Sequence, residues 1–204
     1  MAIRAYDWLA YHTKRLGDKI ALIDLHSKRE FSYRRFNDRC ERLAAHLTAG
    51  LGLNRGDRVG VLAQNSSDMF EMQFAGAKAG LVWLPLNWRL TVSELEFIVG
   101  DAAPKVLIPG PEFAETGAAL QKLCKIPYLM ENKFDGSPSE YETVIAAAGS
   151  LTARAGDLTH DDLSTIMYTS GTTGLPKGAM ITHGTTYWNA ITLGPPARVG
   201  MDSK

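Results

Sequence analysis

Apolar residues in this chain fall into short runs, and between the runs they recur at helical spacing. Met1 to Leu16 reads as a helix packing through Trp8, Leu9 and Leu16. Ile20-Ala21-Leu22-Ile23 and Glu30-Phe31-Ser32-Tyr33 read as two strands joined by a polar turn at His26-Ser27. Ser32 then caps a helix whose apolar positions Phe36, Cys40, Leu43, Ala44 and Leu47 lie on one face, and Gly50 and Gly52 end it. From Val59 onward strand and helix alternate. Val59 to Leu62 is a strand, Ser66 or Ser67 caps a helix carrying Met69, Phe70, Phe74 and Ala77, and Leu81 to Leu86 is the next apolar run. Thr91-Val92-Ser93-Glu94 has the form of a capping box, and its helix continues through Leu95, Ile98 and Val99, with Pro104 barring extension. Val106 to Ile108 is a strand, Ala114 to Cys124 a helix, Ile126 to Met130 an edge strand and Tyr141 to Ala148 a helix.

That alternation predicts an α/β fold, a doubly wound, mostly parallel sheet flanked by helices. In such sheets ligands bind outside the carboxyl ends of the strands. The 204 residues suit one α/β domain or somewhat more, and 45% apolar with 22% charged residues is enough to build a core. Basic and acidic residues balance at 22 each, so no net field draws the chain to nucleic acid or anionic lipid. The densest basic stretch, Lys28-Arg29 with Arg34, Arg35, Arg39 and Arg42, is interleaved with Glu30, Asp38 and Glu41 and reads as a solvated helix face. Cys40 and Cys124 make neither a disulfide framework nor a zinc site, and no run reaches the roughly 20 apolar residues of a membrane helix. A cytoplasmic setting is expected from these features.

The stretch richest in chemistry is Tyr168-Thr169-Ser170-Gly171-Thr172-Thr173-Gly174-Leu175-Pro176-Lys177-Gly178, between apolar Ile166-Met167 and Ala179-Met180-Ile181. It reads as strand, loop, strand. Glycines let backbone N–H groups approach an anion, hydroxyls add donors and a lysine adds charge, so the loop suits phosphate. It is not a Walker loop, because Pro176 precedes Lys177 and Gly178 stands where a magnesium-binding hydroxyl would be. Nor is it a nucleophile elbow, since Tyr168 lies two positions before Ser170.

Residues Ile166 to Gly178 do resemble the signature of the acyl-adenylate-forming (AMP-binding) enzymes, which include acyl-CoA synthetases, luciferases and peptide-synthetase adenylation domains. Asp57-Arg58-Val59, Asn65-Ser66, Lys78-Ala79-Gly80 and Leu84-Pro85-Leu86-Asn87 are similar to family positions in the same order. The resemblance implies part of the large N-terminal domain of an adenylate-forming enzyme, most like a fatty-acid or acyl-CoA synthetase. The implied reaction joins an acid to ATP, forming acyl-AMP and pyrophosphate, and then passes the acyl group to coenzyme A. The implied phosphate contacts are Thr169, Ser170, Gly171, Thr172, Thr173, Gly174 and Lys177, with the Thr169 hydroxyl facing Mg2+.

The family's later motifs, its ribose-binding aspartate and its C-terminal lysine are not in the sequence, so an N-terminal part, inactive alone, is expected. On this reading residues 1–53 would pack on a second, mostly absent subdomain, 54–194 form the α/β subdomain carrying the loop, and 195–204 are a tail cut short. Apolar surface so uncovered would favour self-association. A non-catalytic module binding polyphosphate weakly is the competing expectation. Other residues weigh less. His160-Asp161-Asp162 is expected to be a loop rather than a metal cluster. Tyr168 is read as a packing residue, His183 as structural, Thr182 as the cap of the following helix, and Trp83 and Trp88 as packing.

Overall fold

The computed structural model describes residues 2–147, 156–169 and 174–193. In chain order the elements are α1 (Trp8–Leu16), β1 (Ile20–Asp24), β2 (Arg29–Ser32), α2 (Tyr33–Ala45), β3 (Arg58–Leu62), α3 (Ser67–Ala79), β4 (Val82–Pro85), α4 (Val92–Ala102), β5 (Val106–Pro109), α5 (Ala114–Cys124), β6 (Tyr128–Leu129), α6 (Glu140–Ala147), β7 (Leu163–Thr169), β8 (Lys177–Thr182) and α7 (His183–Leu193). The expected tail at 195–204 lies outside the described residues.

β1 and β2 form an antiparallel hairpin, and the other strands form a six-stranded sheet in the order β6-β5-β3-β4-β7-β8. Its neighbours run parallel, except that β8 returns antiparallel to β7. Successive strand residues face opposite sides, and the two faces bury different helices. Val59, Val61, Val106 and Ile108 share one core with Met69, Met72, Ala75 and Ala79 of α3 and with Leu9, Phe31, Phe36, Cys40, Leu43 and Leu47. Leu62, Leu84 and Leu107 face the other way, onto Leu95, Ile98, Val99 and Ala102 of α4 and Leu120 of α5. This is the doubly wound, mostly parallel arrangement that the alternating pattern predicts.

The local signals at helix ends are used as expected in several places. Ser32 accepts from the Arg35 amide, and Thr91 and Glu94 complete a reciprocal capping box. Gly80 ends α3 with φ +71°, a conformation that favours glycine.

Three expectations are corrected. The first helix begins at Trp8, because the Asp7 carboxylate caps it by accepting from the Ala10 amide at 2.9 Å. The residues before it are extended, with Ala5 and Ile3 hydrogen-bonded to Leu158 and His160, and Trp8 is exposed while Leu9 and Ala10 are buried. In α3, Phe70 faces solvent. The buried side includes Asp68 and Glu71 beside Met69, Met72, Ala75 and Ala79, so apolar residues alone do not mark its inner face.

The third correction concerns the basic stretch, which is not uniformly solvated. Arg39 is buried on α2. Its Nη1 and Nη2 donate to Glu142 at 2.9 and 2.6 Å, and its Nε and Nη2 donate to Glu71. Glu71 also accepts from the Tyr141 hydroxyl at 2.9 Å. Arg29 pairs with Asp68 at 3.0 Å and donates to the Phe134 carbonyl at 3.1 Å. Buried charges persist only when paired and hydrogen-bonded, and these pairs join α2 and the hairpin to α3 and α6. Arg34 and Arg35 fit the solvated reading and are exposed.

Candidate phosphate-binding hairpin

β7 lies beside β4 in parallel, with Thr165 opposite Trp83, and it ends at Thr169. β8 leaves the loop at Lys177 and pairs back along β7, with Thr169 opposite Lys177, Tyr168 opposite Gly178 and Met167 opposite Ala179. The strand, loop, strand reading therefore holds, and the loop starts at the carboxyl end of a strand, where α/β sheets bind ligands. Ser170, Gly171, Thr172 and Thr173 lie outside the described residues.

Of the expected phosphate contacts, the structure brings Thr169 and Lys177 together as directly opposed residues at the mouth of the hairpin, both exposed. Gly174 has φ +156° with open space where a Cβ would be, a backbone suited to glycine. The mouth thus offers a hydroxyl, an ammonium and a permissive backbone. Those are the donor types an anion needs.

The faces of β7 are divided by strand alternation. Ile166 and Tyr168 pack against the core beneath α4, while Thr165, Met167 and Thr169 face the other side. The Tyr168 hydroxyl donates to Asp101 on α4. Burial, and then the hydrogen bond to Asp101, push the phenol well above its ordinary range, so it remains a donor. Tyr168 is therefore a packed residue, as the sequence reading has it. Its partner was not foreseeable, because Asp101 lies 67 residues earlier and no local pattern joins them.

The entry and exit of the hairpin are fixed to each other. Asp162 accepts from the Thr159 amide at 2.7 Å and from the Thr159 hydroxyl at 3.1 Å, and it pairs with Arg55 ahead of β3. The hydrogen bonds from Arg55 and then Thr159 hold the Asp162 carboxyl below its usual range against slight desolvation. The amides of His183 and Gly184 donate to the carbonyls of Asp162 and His160 at 2.9 and 2.8 Å. A Cβ at Gly184 would come within 2.9 Å of His160, so the start of α7 sits directly on the loop that feeds β7. Thr182 accepts from the Thr185 amide at 3.1 Å and caps α7 as expected.

His160 packs on Tyr187, with ring centroids 4.9 Å apart, and Asp162 is used by Arg55 and Thr159. Among the described residues no group of three His, Cys, Asp or Glu side chains could hold a metal ion. Burial lowers the His183 pKa, with Asp162 opposing. Cys40 is buried and Cys124 partly so, and both are free thiols. No helix among the described residues is long and apolar enough to cross a membrane.

A mostly parallel α/β sheet delivers this hairpin, and solved structures share that arrangement. Apo MatB from Rhodopseudomonas palustris superposes with a TM-score of 0.80 at 32% identity, covering 96% of this chain and 38% of that one. The chain belongs to the AMP-binding enzyme family, which matches residues 9–203. It is 38% identical over 170 residues to a feruloyl-CoA synthase of an Amycolatopsis species, covering 82% of this chain and 31% of that protein. It is 36% identical over 152 residues to a long-chain-fatty-acid–CoA ligase of Mycobacterium tuberculosis, covering 74% of this chain and 29% of that protein. The chain thus spans about a third of the length of the curated relatives it matches.

Proposed function

We propose that this chain is the N-terminal part of an ATP-dependent carboxylate–CoA ligase, with the β7–β8 hairpin holding the ATP phosphates. The observation that carries the reading is the opposed Thr169–Lys177 pair at the mouth of the family's signature loop, at the carboxyl end of β7. A carboxylate attacks the α-phosphorus, pyrophosphate leaves, and the acyl-adenylate then passes its acyl group to the thiol of coenzyme A. Negative charge builds on the departing pyrophosphate, and donors fixed in advance around it lower the barrier. Ser170, Gly171, Thr172, Thr173 and Gly174 are the proposed donors, and Lys177 supplies positive charge across the mouth.

Mg2+ takes oxygen ligands, keeps several waters and is commonly bound by one or two protein groups together with substrate phosphates. The exposed Thr169 hydroxyl fits as one such oxygen, and a bound Mg2+ would neutralise charge on the phosphates. The acid is proposed to be an organic acid with an apolar body. Ferulate and long-chain fatty acids, for which two relatives are named, share that character.

Removing one donor of this kind costs on the order of 3 kcal/mol, roughly a hundredfold in rate. In the full-length enzyme, Thr172→Ala is therefore expected to lower carboxylate-dependent pyrophosphate–ATP exchange by about that factor. An unchanged exchange rate would remove the loop from the reaction.

A further inference from the structure

We propose that Tyr168 is a positioning residue for this site, acting through Asp101 to fix the Thr169–Lys177 pair. The inference rests on the phosphate-binding reading above and adds to it a residue outside the phosphate contacts. Tyr168 immediately precedes Thr169 and stands directly opposite Gly178, the residue after Lys177. It is thus one step from both members of the pair. Its ring packs on the core beneath α4, and its hydroxyl donates to Asp101.

The fit on the other side is equally close. A Cβ at Gly178 would come within 2.9 Å of Ile166 Cγ2 and 3.1 Å of Tyr168 Cζ. The Tyr168 ring therefore lies against the bare backbone of β8, which only glycine permits at that distance. Asp101 belongs to the last turn of α4, and that turn is itself anchored. Arg58, at the start of β3, donates to the carbonyls of Ala102 at 2.6 Å and Ala103 at 2.8 Å. A continuous path thus runs from β3 through the end of α4 and the Tyr168 hydroxyl to the hairpin mouth.

The rest of the hairpin needs such an anchor. Met167 and Met180 are exposed, and among the described residues β8 has a strand partner on one side only. Because Thr169 faces away from Tyr168, the phenol does not reach a nucleotide held at Thr169. Its part is to hold the strand end that presents Thr169 and Lys177. Misplacement of a positioned group by about 1 Å can cost a hundredfold in rate.

The test is Tyr168→Phe in the full-length enzyme, which keeps the ring and removes the hydrogen bond. Carboxylate-dependent pyrophosphate–ATP exchange is expected to fall in kcat by at least about tenfold, measured where the melting curve shows the variant folded. Asp101→Leu should reproduce the loss, the double variant should be no worse than either single one, and Asp101→Asn, which keeps an acceptor oxygen, should restore activity. In the 204-residue chain, amide hydrogen exchange along β8 should speed up in Tyr168→Phe while α2 and α3 are unchanged. A variant with wild-type kcat and KM, even with a lowered melting temperature, would show a purely structural role and overturn the proposal. Additive losses in the double variant would overturn it as well. Thr172→Ala, run in parallel, separates the two readings. Loss of exchange there with none in Tyr168→Phe defeats this inference alone, whereas no loss in either defeats the phosphate site and this inference with it.

Discussion

Arg39 makes hydrogen bonds to two carboxylates from segments far apart in the chain, Glu71 on α3 and Glu142 on α6. Taking away one partner of a buried ion pair typically costs 3–5 kcal/mol, because the charge left behind is neither solvated nor paired. Arg39→Leu would leave Glu71 buried without its guanidinium and is expected to destabilise the fold by about that amount, measured by urea denaturation. A loss under about 1 kcal/mol would show that Glu71 simply takes up a proton or reaches water. The role of Arg39 was not legible in the sequence. Its neighbours Arg35 and Arg42 belong to the same basic stretch, and its acidic partners lie 32 and 103 residues away. The same distance hides Asp101 from Tyr168. Thr91 and Glu94 were legible because both partners lie within one helical turn.

At the scale of elements, the β7–β8 hairpin depends on Gly178 for the close approach of its two strands. Gly178→Ala places a methyl against Ile166 and the Tyr168 ring. Such overpacking costs roughly 1–3 kcal/mol, so a lowered melting temperature is expected. An unchanged one would mean that the hairpin opens to accept the methyl at no cost. The hairpin was legible because two apolar runs flank a glycine-rich loop, which is a local signal. The alternation of strands and helices was legible for the same reason, and it is enough to give a doubly wound sheet. The inner faces of α1 and α3 were less so. Asp7 sets the start of α1 by capping, and buried acids on α3 occupy positions that an apolar pattern treats as outward.

Across the whole molecule, large apolar side chains remain exposed on β7, β8 and α7, among them Met167, Met180, Trp188, Ile191 and Leu193, with Ile23 and Leu25 on the first hairpin. We propose that in the longer enzyme the faces of β7, β8 and α7 and of the first hairpin are covered by the remaining subdomain, as expected for residues 1–53. Contiguous apolar patches drive association when left uncovered. The 204-residue chain is therefore expected to self-associate as its concentration rises, measured by light scattering. A strictly monomeric species at the highest soluble concentration would count against an uncovered interface. Membership of the AMP-binding family was legible through its motifs, whereas the acid proposed for the full-length protein was not, since the relatives are named for different acids.

Whether the β7–β8 hairpin serves carboxylate adenylation is decided by pyrophosphate–ATP exchange in the full-length enzyme and its Thr172→Ala variant, with the 204-residue chain alongside. Carboxylate-dependent exchange is expected in the full-length enzyme, with a loss of about a hundredfold in the variant and none from the 204 residues alone. Exchange that survives Thr172→Ala undiminished, or that the 204 residues catalyse by themselves, would contradict it.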